Sequence, residues 1–283
     1  MEDVRLTEST RAETPAWLDL AGRVCVVTGG GRGIGEGTAR ELAANGASVA
    51  VLDRDGDAAA RVADEIKRAG GRAISLAADV SRTDQIAAAA ERVLQEFGPC
   101  QVLVNNAALV GYAGPLMDAD LDQWDRMQAV NVKGALICTR TFGRQMIDAG
   151  RGGSIVNVAS ICGHTPLPQG GAYSVGKAGL LMLTRMLALE LAEHRVRCNS
   201  VSPGLVRTSA TESAYVDPEV SEGRRRMVPA GRVADSVDLA NVIAFLASDR
   251  AGYVNGQDIL VDGALSQTLM TLVPKPSRPM QPS

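Results

Sequence analysis

The chain has 283 residues, 46% of them hydrophobic and 22% charged, enough to bury the core of one large α/β domain. A net charge of −3 and a pI near 5.5 give no electrostatic basis for nucleic acid or an anionic membrane as partner. No apolar stretch reaches the roughly 18 charge-free residues of a membrane span, and Met1-Glu-Asp-Val-Arg5 lacks the apolar core of a signal peptide, so a cytoplasmic protein is expected.

Residues 1–20 read as an N-terminal arm, polar and aperiodic up to residue 16 and pinned by Trp17, Leu18 and Leu20. Folding is expected from Gly22 onward. Arg23-Val-Cys-Val-Val-Thr28 has a buried-strand pattern, Gly29-Gly-Gly-Arg-Gly-Ile-Gly35 follows at once, and a helix is predicted over 36–44. A glycine loop between strand and helix lets backbone amides approach a pyrophosphate, and the helix N-terminus adds partial positive charge. A second strand over 47–53 ends in Asp53, eighteen residues after Gly35, where a carboxylate accepts hydrogen bonds from adenosine ribose hydroxyls and repels a 2′-phosphate. Arg54 beside it is a possible phosphate partner, so the reading is NAD rather than NADP.

A helix over 57–69 stops at Gly70-Gly71, and a third strand over 72–78 runs into Asp79-Val80. Ser81-Arg-Thr-Asp84 reads as an N-cap signature opening a helix to Phe97. Strand four, 101–104, is followed by the small residues Asn105-Asn-Ala-Ala108, where bulk would obstruct a cofactor. One long helical region is predicted over 121–147 with Asn131 in its middle, where an amide competes with the backbone.

Strand five ends at Ser160, whose hydroxyl can hydrogen-bond a substrate oxygen, and a helix then runs to about 193. That helix carries Tyr173 and Lys177, four positions apart and so on one face. A phenol with a pKa near ~10 exchanges protons poorly at neutral pH unless a fixed positive charge stabilises its phenolate, and Lys177 is placed to supply one. A sixth strand over 196–202 leads to Pro203-Gly204. Residues 205–230 lack periodicity and read as a lid loop. A helix over 235–247, a strand over 257–262 and a C-terminal tail over 264–283, proline-rich and extended beyond 273, complete the chain.

Strands alternate with helices without repeats or a domain-sized linker, which predicts a single Rossmann-type α/β domain over 21–263: a doubly wound parallel sheet with helices on both faces. The five cysteines are odd in number, widely spaced and mostly in apolar runs, as expected of reduced core thiols. The histidines, His164 and His194, are too few for a metal cluster, and no metal is expected.

Five separated motifs occur in the order and spacing of the short-chain dehydrogenase/reductase family, which residues 20–263 resemble. They are Thr28-Gly-x-x-x-Gly-x-Gly35, Asn105-Asn-Ala-Ala108, Asn131, Ser160 with Tyr173-x-x-x-Lys177, and Pro203-Gly204. Ala108 stands where many members have glycine. The resemblance implies that Tyr173 is the general acid/base, that Lys177 lowers its pKa and holds the nicotinamide ribose, that Ser160 polarises the substrate oxygen, and that Asn131 holds a proton-relaying water. It implies a cofactor site of Thr28, Gly29, Arg32, Gly33, Ile34, Gly35, Asp53 and Arg54, with Asp79 and Val80 at the adenine. Asn106, Ala107 and Ala108 would line the cleft, with Pro203, Gly204, Val206 and Thr208 at the nicotinamide. It further implies a homotetramer or homodimer joined through the helices of Asn131 and Tyr173.

Substrate choice should rest on residues 109–116, 161–170 and the lid, with Ile161, Pro166 and Leu167 giving an apolar lining. Cys162, His164 and Gln169 are candidate polar contacts beside Ser160 and Tyr173. Arg224-Arg-Arg226 reads as a solvated charge run. The expected function is reversible NAD-dependent oxidation of a small or medium secondary alcohol to its ketone. An NADPH-dependent 3-oxoacyl-carrier-protein reductase is the alternative, which Asp53 disfavours. A non-catalytic dinucleotide sensor would be free to lose Tyr173, Lys177 or Ser160, and the chain keeps all three.

Overall fold

In the computed structural model, which describes residues 17–111, 114–209, 211–271 and 273, apolar residues along each central strand alternate between two cores. Val24 and Val26 of β1 (Val24–Thr28) face one core and Cys25 and Val27 the other. Strands covered on both faces read as continuous apolar runs, which is why they were legible. β2 (Ser48–Asp53), β3 (Arg72–Ala77), β4 (Val102–Asn105), β5 (Gly153–Val158), β6 (Val196–Pro203) and β7 (Asp258–Val261) complete a seven-stranded sheet in the order 3-2-1-4-5-6-7. Every pairing is parallel.

One face is covered by α1 (Gly33–Ala44), α2 (Gly56–Arg68) and α8 (Ser236–Ala247), through Leu42, Val62, Ile66, Leu239 and Ile243. The other is covered by α3 (Thr83–Phe97), α5 (Ala135–Ala149) and α6 (Ala172–Glu190), through Ile86, Val93, Phe142, Met146 and Leu187. α1 and α8 lie so close that a Cβ on Gly37 would stand 2.8 Å from Ser236 Cβ. Four cysteines are free and buried, and Cys162 is half-buried. Leu20 is buried, and Trp17 stacks on Phe245 with ring centroids 6.2 Å apart. The rest of the expected arm, residues 1–16, and the extended tail beyond 273 lie outside the described residues, as do residues 112, 113, 210 and 272.

Three local expectations are corrected. The long helix is α4 (Leu121–Gln128), a wide π turn (Ala129–Gly134) and α5. The π turn holds Asn131 where its amide bonds a neighbouring loop and Gly134 where a Cβ would meet Val80 Cγ2 at 2.8 Å. Ser81 does not cap α3, because its hydroxyl bonds Asp79 Oδ1 at 2.7 Å and Arg82 occupies the cap position. Within 205–230 the chain forms a 3-10 turn (Glu212–Tyr215) and α7 (Pro218–Met227). α7 buries none of its residues, so no apolar period marked it; Asp217 caps the Glu219 and Val220 amides, and Pro218 sits in the first turn. Removing that cap with Asp217→Ala should weaken α7 by about 1 kcal/mol, so that hydrogen exchange at Glu219 and Val220 quickens about fivefold while global melting stays nearly unchanged.

Candidate active site

The strand order reverses between β1 and β4, so the chains leaving their ends part and open a crevice at the C-terminal edge of the sheet. Two residues tie the crevice walls together. Thr28 Oγ1 accepts from the amides of Asn106 and Ala107 at 3.0 and 3.1 Å. Asn106 Nδ2 donates back to the carbonyls of Thr28 and Gly29 at 2.9 and 3.0 Å. A cavity of about 430 Å³ runs from here to Tyr173, within the usual range for a small-molecule or cofactor site.

The glycine loop is packed too tightly for side chains. A Cβ on Gly35 would lie 2.1 Å from the Gly29 carbonyl, and one on Gly31 would lie 2.8 Å from Ala58 Cβ. Gly29 has a φ of +62°, which an L side chain adopts only with strain. Arg32, at the N-cap of α1, makes no side-chain bond to the first-turn amides, which leaves the helix terminus to an anion.

At the end of β2, Asp53 Oδ2 accepts from the Gly31 amide and Oδ1 from the Asp55 amide, each at 3.0 Å. The carboxylate is therefore fixed against the glycine loop while it faces the cavity. Arg32 and Arg54 also line the cavity. Arg32 is ion-paired with Asp55, which caps α2 through the Ala58 amide. Burial raises the Asp79 carboxyl, but hydrogen bonds from Ser81 and the charges of Arg54 and Arg82 outweigh it and leave its pKa below the ordinary value.

At the other end, Ser160 follows β5, and its Oγ accepts from the Cys162 amide at 3.1 Å. Removal from water pushes the Tyr173 phenol up to about 12, against a hydrogen bond with Ser160 that pulls it down. Burial pushes the Lys177 ammonium down to about 8. Lys177 is 3% exposed, its Nζ donates to the Val158 carbonyl at 2.7 Å, and it lies 5.7 Å from the centre of the Tyr173 ring. Burial thus governs both groups in this arrangement, and the ammonium bonds the backbone of β5. Asn131 is buried, and both of its polar atoms hold Leu109, Oδ1 accepting from its amide at 2.7 Å and Nδ2 donating to its carbonyl at 2.9 Å. Its side chain clamps the loop after β4.

The cavity lining includes Gly29, Arg32, Gly33, Ile34, Asp53, Arg54, Asp79, Val80, Asn106, Ala107 and Ala108. At its far end it adds Ser160, Tyr173, Lys177, Pro203, Gly204, Val206 and Thr208. Thr28, Gly35 and Asn131 stand behind it as supports. Cys162 and Gln169, expected at the substrate, do not line it. Cys162 lies in a 3-10 turn (Ile161–Gly163) close enough to Tyr173 and Lys177 to act on their charges, without lining the cavity, and Gln169 is exposed with a φ of +59°. His164 is turned toward Asp258. The lining also takes in Leu52, Ala78, Val130, Val158 and Thr211. Leu52, Ala78 and Val130 adjoin recognised positions and Val158 lies two before Ser160, so proximity was the signal available; Thr211 falls within the 205–230 segment already read as a lid.

A doubly wound sheet whose switch-point crevice joins a glycine loop to a Ser-Tyr-Lys cluster defines a class of dinucleotide-binding oxidoreductases. Residues 29–266 match the family model described as Enoyl-(Acyl carrier protein) reductase. The cis-4-hydroxycyclohexanecarboxylate dehydrogenase of Sinomonas cyclohexanicum is 39% identical over 244 residues, 86% of this chain and 96% of that protein. Among solved structures, a 7α-hydroxysteroid dehydrogenase complexed with NADH and 7-oxo glycochenodeoxycholic acid is similar at 32% identity and a TM-score of 0.82, covering 86% of this chain and 94% of that one. A gluconate 5-dehydrogenase from Burkholderia cenocepacia in complex with NADP and tartrate has 32% identity and a TM-score of 0.82, with 87% and 96% covered. The chain belongs to the short-chain dehydrogenase/reductase family and is an oxidoreductase.

The buried Lys177 makes stability depend on pH. Between about 8 and the ordinary 10.5 the unfolded chain binds a proton at Lys177 that the folded chain does not, so stability rises with pH across that window; below about 8 the burial penalty is fully present. In urea unfolding, the stability of the wild type relative to Lys177→Met should rise by about 2 kcal/mol between about pH 7.5 and pH 10.

Proposed function

We propose that the chain is an NAD-dependent dehydrogenase that interconverts a secondary alcohol and its ketone, with Tyr173 as general acid/base. The observation that carries this reading is one continuous cavity with Tyr173, Ser160 and Lys177 at one end and the glycine loop and Asp53 at the other. The residues fit a dinucleotide: side-chain-free amides at the α1 terminus suit the pyrophosphate, Asp53 suits a ribose, and Asp79 with Val80 suits the adenine. When bound, a nicotinamide ring accepts or donates the hydride. The chain's own groups handle the proton. Ser160 donates a hydrogen bond to the substrate oxygen, and Tyr173 gives that oxygen its proton from the phenol in reduction or takes it onto the phenolate in oxidation. Lys177 supplies positive charge to whatever negative charge develops on the phenol, and Asn131 keeps the cavity wall at Leu109 in place.

Names among the relatives favour ring-borne or polyol secondary alcohols as the substrate class: a hydroxycyclohexanecarboxylate, a hydroxysteroid, D-threitol and gluconate. Two solved relatives carry NADP and one NADH. NAD is favoured here because Asp53 presents a fixed negative charge where a 2′-phosphate would sit, and because Asp55 neutralises Arg32. The same feature disfavours an NADPH-dependent 3-oxoacyl-carrier-protein reductase. α6 exposes Val175, Met182, Met186 and Leu189 in one stripe, which supports a homotetramer or homodimer joined through this helix and its neighbours α4 and α5.

Fluorescence titration tests the cofactor: NADH should bind more tightly than NADPH, and tighter NADPH binding would move the phosphate onto Arg32 or Arg54. For the chemistry, Tyr173→Phe should lower turnover of a secondary alcohol by about 10²–10⁴-fold while the Kd for NADH stays within about twofold; undiminished turnover would remove Tyr173 from its assigned role.

A further inference from the structure

His164 and Asp258 form a polar cluster outside the cavity. His164 Nε2 lies 2.7 Å from Asp258 Oδ2, and Asp258 Oδ1 accepts from Ser200 Oγ at 2.6 Å and Ser202 Oγ at 3.0 Å. Ser200 and Ser202 are 1% and 0% exposed and the Asp258 side chain is 9% exposed, while the His164 side chain is 34% exposed, so the carboxylate is held from the core side and the imidazole closes it off at the surface. The set is not a hydrolytic triad: Asp258 and Ser202 both approach the same imidazole nitrogen, the serine at 3.5 Å, whereas a triad needs base and orienter on opposite nitrogens.

Its place in the chain gives it a use. Ser160 and His164 are the two ends of one turn, closed by bonds from the Gly163 amide to the Ser160 carbonyl at 2.9 Å and from the His164 and Thr165 amides to the Ile161 carbonyl at 3.0 and 2.9 Å. Gly163 presses on α6 at the turn's centre, where a Cβ would stand 3.0 Å from the backbone carbon and oxygen of Lys177. Residues 165–169 beyond it are exposed. The turn is therefore wedged against Lys177 and tethered by His164 to β7, through a carboxylate that two serines of β6 hold in place.

We infer that His164 and Asp258 are positioning residues: their bond fixes the turn that aims Ser160 at the substrate oxygen and seats it against Tyr173 and Lys177. Neither touches the cavity, and their effect on turnover passes through Ser160. The turnover arm of the test rests on the proposed dehydrogenase activity; the exchange arm does not.

The experiment compares His164→Ala, Asp258→Ala, the double variant and His164→Gln, whose amide nitrogen replaces Nε2 as donor. Amide exchange over 161–165 is read by mass spectrometry, NADH binding by fluorescence, and kcat with cis-4-hydroxycyclohexanecarboxylate and NAD. His164→Ala should quicken exchange and lower kcat by about tenfold or more, with the Kd for NADH within about twofold. Asp258→Ala should match it, the double variant should be no worse than either single one, and His164→Gln should restore most of both readouts. Wild-type exchange in His164→Ala overturns the inference. So does a parallel loss of melting temperature and NADH affinity, which marks a general structural role, and so does failure of Gln to rescue. A wild type inactive on this alcohol counts against the proposed activity on that substrate class, while exchange still decides the tether.

Discussion

The bond from Lys177 Nζ to the Val158 carbonyl is the constraint on which the site is built. It joins the first turns of α6 to the last residue of β5, two residues before Ser160, and does so with a charge almost wholly removed from water. Burying an ammonium is costly unless a partner compensates it. Burial pushes its pKa down to about 8, the direction expected where the charge is only partly compensated. The sheet core and the α6 packing must hold a group that by itself prefers solvent, and the return is a cation fixed beneath a phenol.

Most of the fold was legible because it follows from alternation. Strands buried on both faces read as apolar runs, and turns such as Gly70-Gly71 and Gly98-Pro99 separate them from the helices. α7 was missed because a helix with no buried face leaves no apolar period, and the π turn because its cause, the pull of Leu109 on Asn131, lies in another segment. The site was legible in the same measure. Residues at strand ends could be placed by topology alone, as Asp53, Asn106 and Ser160 show. Cys162, His164 and Gln169 could not, because a single 3-10 turn after Ser160 decides which of them faces the cavity, and that turn is set by Gly163 packing on Lys177.

At the proposed adenosine end, charge is arranged before any ligand arrives. Asp53 receives two backbone amides, so its carboxylate neither rotates away nor needs reorganising to meet a ribose. Arg32 and Arg54 border the same space and would otherwise favour a phosphate. Asp55 takes the first, and the second lies near enough to Asp79 to help lower its pKa. Four charges of alternating sign thus border the space that Asp53 faces, the basis of the proposed preference for NAD.

At the proposed catalytic end, burial pushes the two pKa values in opposite senses, with a consequence for pH dependence. With Tyr173 near 12 and Lys177 near 8, the neutral-pH chain holds a protonated phenol beside an ammonium, which is the state that gives a proton to a carbonyl oxygen. Oxidation needs the phenol to take up a proton, and therefore first to lose its own. A cation 5.7 Å from the ring centre makes that loss easier than it would be in the same pocket without one, provided the ammonium keeps its proton. Raising the pH thus acts in two opposed ways, freeing the phenol while discharging the lysine that supports its anion.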